Sequence, residues 1–153
     1  MEPSLHEGQR LLVSKVSYYV GEPRRGDVIV FQPLGNSEED YVKRVIGLPG
    51  DTVEVNKGKV YVNGVALDEP YINQSPSYTV DNKTVPPDTY FVLGDNRNNS
   101  NDSHNGWTVP RPNIVGKAWV SLWPPRQWGL IRDYHRLNQI AGFIGLRLAR
   151  AGS

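Results

Sequence analysis

Cysteine is absent from the 153 residues, which removes disulfides, thiolate nucleophiles and cysteine-ligated metals and leaves the redox compartment open. No run of about 18 apolar residues occurs, so the sequence as it stands carries no membrane-crossing helix. Charge of one sign is not in excess. Lys and Arg total 17 against 16 Asp and Glu, which argues against the broad basic surface that nucleic acid requires. The three histidines, His6, His104 and His135, fall at no metal-ligand spacing, and no metal or cofactor is expected. There is no internal repeat. Met1-Glu2-Pro3-Ser4-Leu5 opens directly into domain-like sequence, without the pattern of a secretory leader or transit segment.

What is present favours strands. Fifteen Gly and twelve Pro accompany abundant Val, Tyr and Thr, a balance of short extended segments and many turns. Apolar stretches at Arg10 to Val16, Asp27 to Phe31, Asp40 to Ile46, Thr89 to Leu93 and Ile114 to Trp123 read as strands, the last stopped by Pro124-Pro125. Thr52 to Val55 and Lys59 to Val62 flank Asn56-Lys57-Gly58 as a hairpin, and Asn63-Gly64 marks a further turn. Residues 65 to 88, rich in Pro, Asn, Ser and Asp, predict a surface excursion with little core, and Asn96 to Gly106 a polar loop. The fold class is therefore all-β, with antiparallel pairing. A domain over 1–134 is followed by a tail over 135–153. There Leu137, Ile140, Ala141, Ile144 and Leu148 recur at helical spacing among Arg136, Arg147 and Arg150. The tail is read as a short helical segment, either packed on the domain or a frayed end, or as a basic amphipathic segment lying on a membrane surface.

Lys43 stands between Val42 and Arg44 in one of these strands, so Lys43 and Arg44 point to opposite faces. A lysine acts as a base only when neutral. From a reference pKa of about 10.4 that requires a drop of roughly 2–3 units, about 3–4 kcal/mol, which burial can supply. By itself the residue reads as a strand lysine snorkelling to water. Ser100, among Asn and Asp, reads by itself as a solvated turn residue.

Three blocks change that reading. Gly26-Asp27-Val28-Ile29-Val30-Phe31, the run Tyr41-Val42-Lys43-Arg44-Val45-Ile46-Gly47-Leu48-Pro49-Gly50-Asp51, and the run from Tyr90 through Gly94-Asp95-Asn96-Arg97 to Ser103 resemble, in this order, the type I signal peptidase family. The resemblance covers about residues 1 to 125. It implies a signal-peptidase-type antiparallel β catalytic domain with long loops, and a serine endopeptidase that removes signal peptides through a Ser/Lys dyad. Lys43 would be the general base and Ser100 the hydroxyl that orients it. Met1, Leu5, Tyr41 and Val42 would line the substrate pockets. Arg44, Asp95, Asn96, Arg97, Asp102 and Ser103 would support the site, with Arg44 the partner of Asp95. His104 stands where the family usually has Arg, which makes an ion pair there pH-dependent at about 6.5, where histidine titrates.

In the family pattern the nucleophilic serine immediately precedes the residue equivalent to Met1, after an anchor and an oxyanion donor. The expectation is a nucleophile missing from this chain, through a start set at this Met or because the protein is a non-catalytic relative that binds signal peptides. Ser4 is a third, lesser candidate for the attacking hydroxyl. The resemblance further implies precursor proteins as partners, and a membrane-associated domain on the periplasmic or thylakoid-lumen side. Lysine rather than histidine at the base position argues against the archaeal and endoplasmic-reticulum branch. A repressor-type serine/lysine protease would bring a DNA-binding domain, for which no segment fits.

Overall fold

The computed structural model describes residues 1–2, 10–14, 21–35, 39–123 and 129–131. Among them β-branched and aromatic runs form eleven strands: β1 (Arg10–Ser14), β2 (Val28–Phe31), β3 (Tyr41–Gly47), β4 (Thr52–Asn56), β5 (Lys59–Val62), β6 (Val65–Ala66), β7 (Val80–Thr84), β8 (Thr89–Leu93), β9 (Val109–Pro110), β10 (Ile114–Trp123) and β11 (Gly129–Leu130). Every strand pairing is antiparallel. A larger sheet runs β1-β10-β2-β3-β8-β9, with β11 added on β10, and a smaller one runs β6-β5-β4-β7. The fold class is all-β. The tail over 135–153 and the candidate residues Ser4 and Leu5 lie outside the described residues.

Hairpin chemistry is local and strong. Lys57-Gly58 and Asn63-Gly64 each place two successive residues at positive φ, the backbone that a two-residue turn between twisted strands requires. Asn63 also accepts the Thr52 backbone N–H on its side-chain oxygen, pinning the second turn to β4.

Three apolar clusters follow from strand alternation. Ile29, Phe31, Val45, Tyr90, Val92, Val109 and Ile114 pack on the face of β3 that carries Lys43. Val28, Val30 and Ala118 pack on the opposite face, with Val42 and Met1 against them. Ile46, Phe91 and Leu93 join the valines of the smaller sheet in a third cluster. Each fully buried Val, Ile, Leu or Phe side chain among them contributes about 1.5–3 kcal/mol by leaving water.

The stretch 65–88 departs from the sequence expectation. It contributes two strands and buries Tyr71, Val80 and Val85. Its polar composition hides this because the segment packs through isolated large residues rather than an alternating run. Ile114–Trp123 is not the final strand either, since β11 follows it.

Arg44 and Asp95, both inaccessible to solvent, tie β3 to the segment after β8. The guanidinium donates through Nε to Asp95 Oδ1 at 2.9 Å, through Nη2 to Oδ2 at 2.8 Å, and through Nη1 to the Gly26 carbonyl at 2.9 Å. A fork of this kind is geometrically selective and cannot be reproduced by lysine. Removing one partner strands the other charge in the interior. Urea unfolding of Arg44→Met and of Asp95→Ala should each show a loss of about 3–5 kcal/mol. The double variant should lose clearly less than the sum, and strict additivity would mean the pair is not coupled.

Candidate active site

β3 delivers two adjacent cations to two different environments. Arg44 enters the ion pair just described. Lys43 lies on the other face beside Ile29, its cross-strand partner, and donates from Nζ to Ser100 Oγ at 2.8 Å across 57 residues of sequence. Its ammonium is 5.9 Å from the centre of the Tyr41 ring. Burial holds the Lys43 amine below the ordinary lysine range, and the negative charges of Asp102 and Asp95 partly oppose that shift. A partly desolvated amine with a hydroxyl partner is the chemistry of a general base.

Ser100 reaches Lys43 because Gly94 lacks a side chain. A Cβ at Gly94 would overlap both Oγ and Cβ of Ser100, so the hydroxyl occupies the space that any other residue would fill. The polar loop then closes on β8 by substituting side chains for a missing strand. Ser103 Oγ accepts the Val92 N–H at 2.9 Å, and Asp102 Oδ2 accepts the Gly94 N–H at 2.8 Å. Both residues are fully buried. Residues 103–105 form a single 3-10 turn capped by Asp102.

Arg97 fastens the same loop from beneath. Its Nε donates to the Gly94 carbonyl at 3.0 Å, and its two terminal nitrogens grip both oxygens of Glu69 at 2.6 and 2.8 Å. Tyr71 donates its hydroxyl to Glu69 at 2.8 Å and offers its ring to Arg44, whose guanidinium carbon lies 4.2 Å from the ring centre. Burial and the Glu69 charge push the Tyr71 phenol well above its usual range, so it stays a neutral donor. Glu69, Tyr71 and Tyr78 are absent from the sequence-based site. A buried arginine obliges a buried acid, but nothing local in the run 65–88 shows which acid it is.

The proposed substrate residues divide between the faces. Tyr41 packs with the cluster around Phe31, while Val42 and Met1 pack with the cluster around Val28 and Val30. β8 pairs with β3 only from Arg44 onward, so among the described residues the β8-side edge of Tyr41–Lys43 has no strand partner. Asn96 is half-buried in a polar cleft of about 200 Å³, which Glu2, Asn73, Gln74, Asp95 and Arg97 also line. Among the described residues no group of three or more His, Cys, Asp or Glu is arranged to hold a metal ion. No helix among them is long and apolar enough to cross a membrane.

The Gly94 contact gives a specific test of how the hydroxyl is placed. Gly94→Ala should remain folded by circular dichroism yet push the Lys43–Ser100 separation beyond about 3.5 Å, outside hydrogen-bonding range, in a crystal structure. An unchanged contact would mean that Ser100 is held by the rest of the loop alone.

A family model described as "Signal peptidase, peptidase S26" matches residues 1–123. The chain is 48% identical over 138 residues to a protein named probable signal peptidase I-2 from Synechocystis sp., a match that covers 87% of this chain and 63% of that protein. It is 39% identical over 135 residues to thylakoidal processing peptidase 1, chloroplastic, from Arabidopsis thaliana, covering 82% of this chain and 40% of that protein. The chain thus spans less than two thirds of the length of either relative. A crystal structure of a signal peptidase I from Enterococcus faecalis V583 superposes with a TM-score of 0.54 at 37% identity, over 63% of this chain and 97% of that one. With the lysine strand, the loop after β8 and the whole of β1 to β10 inside the matched span, the chain belongs to the signal peptidase family, peptidase S26.

Proposed function

We propose that this domain is the catalytic part of a serine endopeptidase that removes signal peptides from exported precursors, with Lys43 as general base and Ser100 as the hydroxyl that orients it. The observation that carries this reading is the Lys43–Ser100 hydrogen bond of 2.8 Å at an amine that burial biases toward its neutral form. The nucleophile is a serine at the position before Met1 in the family pattern, and Met1 packs against the same cluster as Val42.

In this reading the precursor binds as an extended strand along the open edge of Tyr41–Lys43. Main-chain hydrogen bonds supply affinity, and pockets for small side chains supply specificity. Of the described residues, Met1, Tyr41 and Val42 are the ones this reading assigns to those pockets. Neutral Lys43 takes the proton from the serine hydroxyl as it attacks the scissile carbonyl, and the charged amine then protonates the leaving nitrogen. The same lysine activates water to release the acyl group. Substrate binding removes further water from Lys43 and deepens the bias toward the neutral amine. No step requires a metal or cofactor. Membrane association, on the periplasmic or lumenal side, fits substrates whose signal segments are themselves membrane-directed, and fits the thylakoidal relative's name.

A fluorogenic peptide with Ala-x-Ala before the cut tests this, using the chain as printed and a form extended upstream through the serine and its preceding turn. Turnover in the extended form, abolished by Lys43→Ala, is the expected result. The rate should climb with pH as Lys43 loses its proton, and the acid limb should lie below about 10.4, the value of a solvated lysine. Turnover by the chain as printed would move the nucleophile elsewhere, with Ser4 next to be replaced. A folded, extended protein that binds the peptide without cleaving it would instead be a non-catalytic signal-peptide-binding relative.

A further inference from the structure

The polar cleft bounded by Glu2, Asn73, Gln74, Asp95, Asn96 and Arg97 has no part in the chemistry proposed above. Its volume of about 200 Å³ is room for one or two side chains, below the roughly 300–1,000 Å³ of a small-molecule pocket. Both walls are held before anything binds. On one side Asp95 is fixed by Arg44, and Arg97 by Glu69 and the Gly94 carbonyl. On the other, Asn73 and Gln74 stand between two anchors. Tyr71 before them is buried and bonded to Glu69. After them, Asn98 Oδ1 accepts the Ser77 N–H at 2.8 Å and the Ser77 hydroxyl at 2.9 Å, and Asn98 Nδ2 donates to the Ser75 carbonyl at 3.1 Å.

The pairing of β3 decides what reaches this cleft. The open edge at Tyr41–Lys43 ends at Arg44, where Leu93 of β8 takes the next pairing position. A chain lying along that edge cannot continue past Lys43 as a strand. It has to lift over the turn that begins at Gly94, and the cleft opens on residues 95–97 of that turn. Glu2, on the same cleft, directly follows Met1, and the nucleophile of the family pattern directly precedes Met1. With the residues before the cut assigned to Tyr41 and Val42, those after it fall on this side.

We propose that the cleft binds the first residues of the mature protein, centred on the second residue after the cut, and that it selects there by charge. The inference rests on the reading of this domain as a peptidase whose substrate lies along the Tyr41–Lys43 edge. Asp95 and Arg97 spend their charges on Arg44 and Glu69, so the cleft presents the side-chain amides of Asn73, Gln74 and Asn96 and the exposed carboxylate of Glu2. Amides both donate and accept, which suits a peptide main chain and an uncharged polar side chain. The groups that line the cleft or close on its walls are three acids, Glu2, Glu69 and Asp95, against two arginines, Arg44 and Arg97, so the balance is negative. A lysine at that position of the precursor is therefore favoured over an acid. One charge at a solvated mouth has a small effect, about two- to fivefold.

Nuclear magnetic resonance of the nitrogen-labelled chain as printed reads the site without turnover. A peptide running from Ala-x-Ala through several residues beyond the cut should shift the side-chain amide signals of Asn73, Gln74 and Asn96. A peptide ending at the last Ala should leave those signals in place while still moving the main-chain signals of Tyr41 to Lys43. This comparison holds even if Lys43 proves not to be the base, which would show separately as a serine-extended protein that cleaves nothing. In the extended protein, peptides differing only at the second residue after the cut should be cleaved in the order Lys, Gln, Glu. The kcat/KM ratio of Lys to Glu should be about two to five, and Glu2→Gln should shrink it toward one. Gln74→Ala should lower kcat/KM more for the long peptide than for an Ala-x-Ala aminocoumarin amide, which has no residue after the cut. Side-chain amides that respond equally to both peptides, or to neither, would overturn the site. A Lys-to-Glu ratio untouched by Glu2→Gln would overturn the charge selection. Should Gln74→Ala fail to fold, the amide shifts of the unsubstituted chain decide the question.

Discussion

The guanidinium of Arg44 sits where water does not reach, and the cost of stripping its hydration has to be recovered from one carboxylate, one carbonyl and one aromatic face. That requirement fixes where Asp95 stands, and Asp95 is the second residue after β8. Once it is fixed, Gly94 lies across from Lys43 and the chain between 96 and 103 has to turn back over the lysine. Arg97 repeats the device one turn later, gripping Glu69 and the Gly94 carbonyl. Two buried arginines, each with its own acid, therefore make the floor on which the Lys43–Ser100 contact rests.

Strand parity gives the site its economy. Two neighbouring cations on β3 would repel in a shared environment, but alternation sends them to opposite faces. One face pairs its charge fully and becomes structural. On the other, among the described residues, the amine meets a hydroxyl and an aromatic ring, and burial biases it toward neutrality. The acids nearby moderate that bias without closing an ion pair onto Nζ, and Asp102 is already engaged by Gly94 and His104. A base needs this intermediate condition. A fully paired lysine could not give up its proton at moderate pH, and a fully solvated one would keep it.

Much of this is legible in the sequence. The strands follow from short apolar runs bounded by Gly, Pro and Asn-Gly signals, and the opposite orientation of Lys43 and Arg44 follows from their adjacency. The pairing of Arg44 with Asp95, and the nearness of Ser100 to Lys43, came only with the resemblance to a known family, because residues 51 and 57 positions apart share no local signal. The contribution of 65–88 was not legible. Glu69 and Tyr71 lie in a polar, proline-containing stretch whose pattern predicts a surface excursion, and Arg97 and Arg44 engage the Glu69 carboxylate and the Tyr71 ring. The role of Gly94 escapes sequence reasoning for a related reason. Its φ is not in the left-handed region, and its importance is the space it leaves for a hydroxyl six residues on.

The fold holds Lys43 partly desolvated, and competitive labelling of lysines with trace acetic anhydride across pH measures that directly. Lys43 in the folded protein should titrate clearly below the same lysine in the urea-unfolded chain, which marks the solvated value of about 10.4. Coincident folded and unfolded titrations would show an ordinary solvated ammonium, and the account of Lys43 as a base would be wrong.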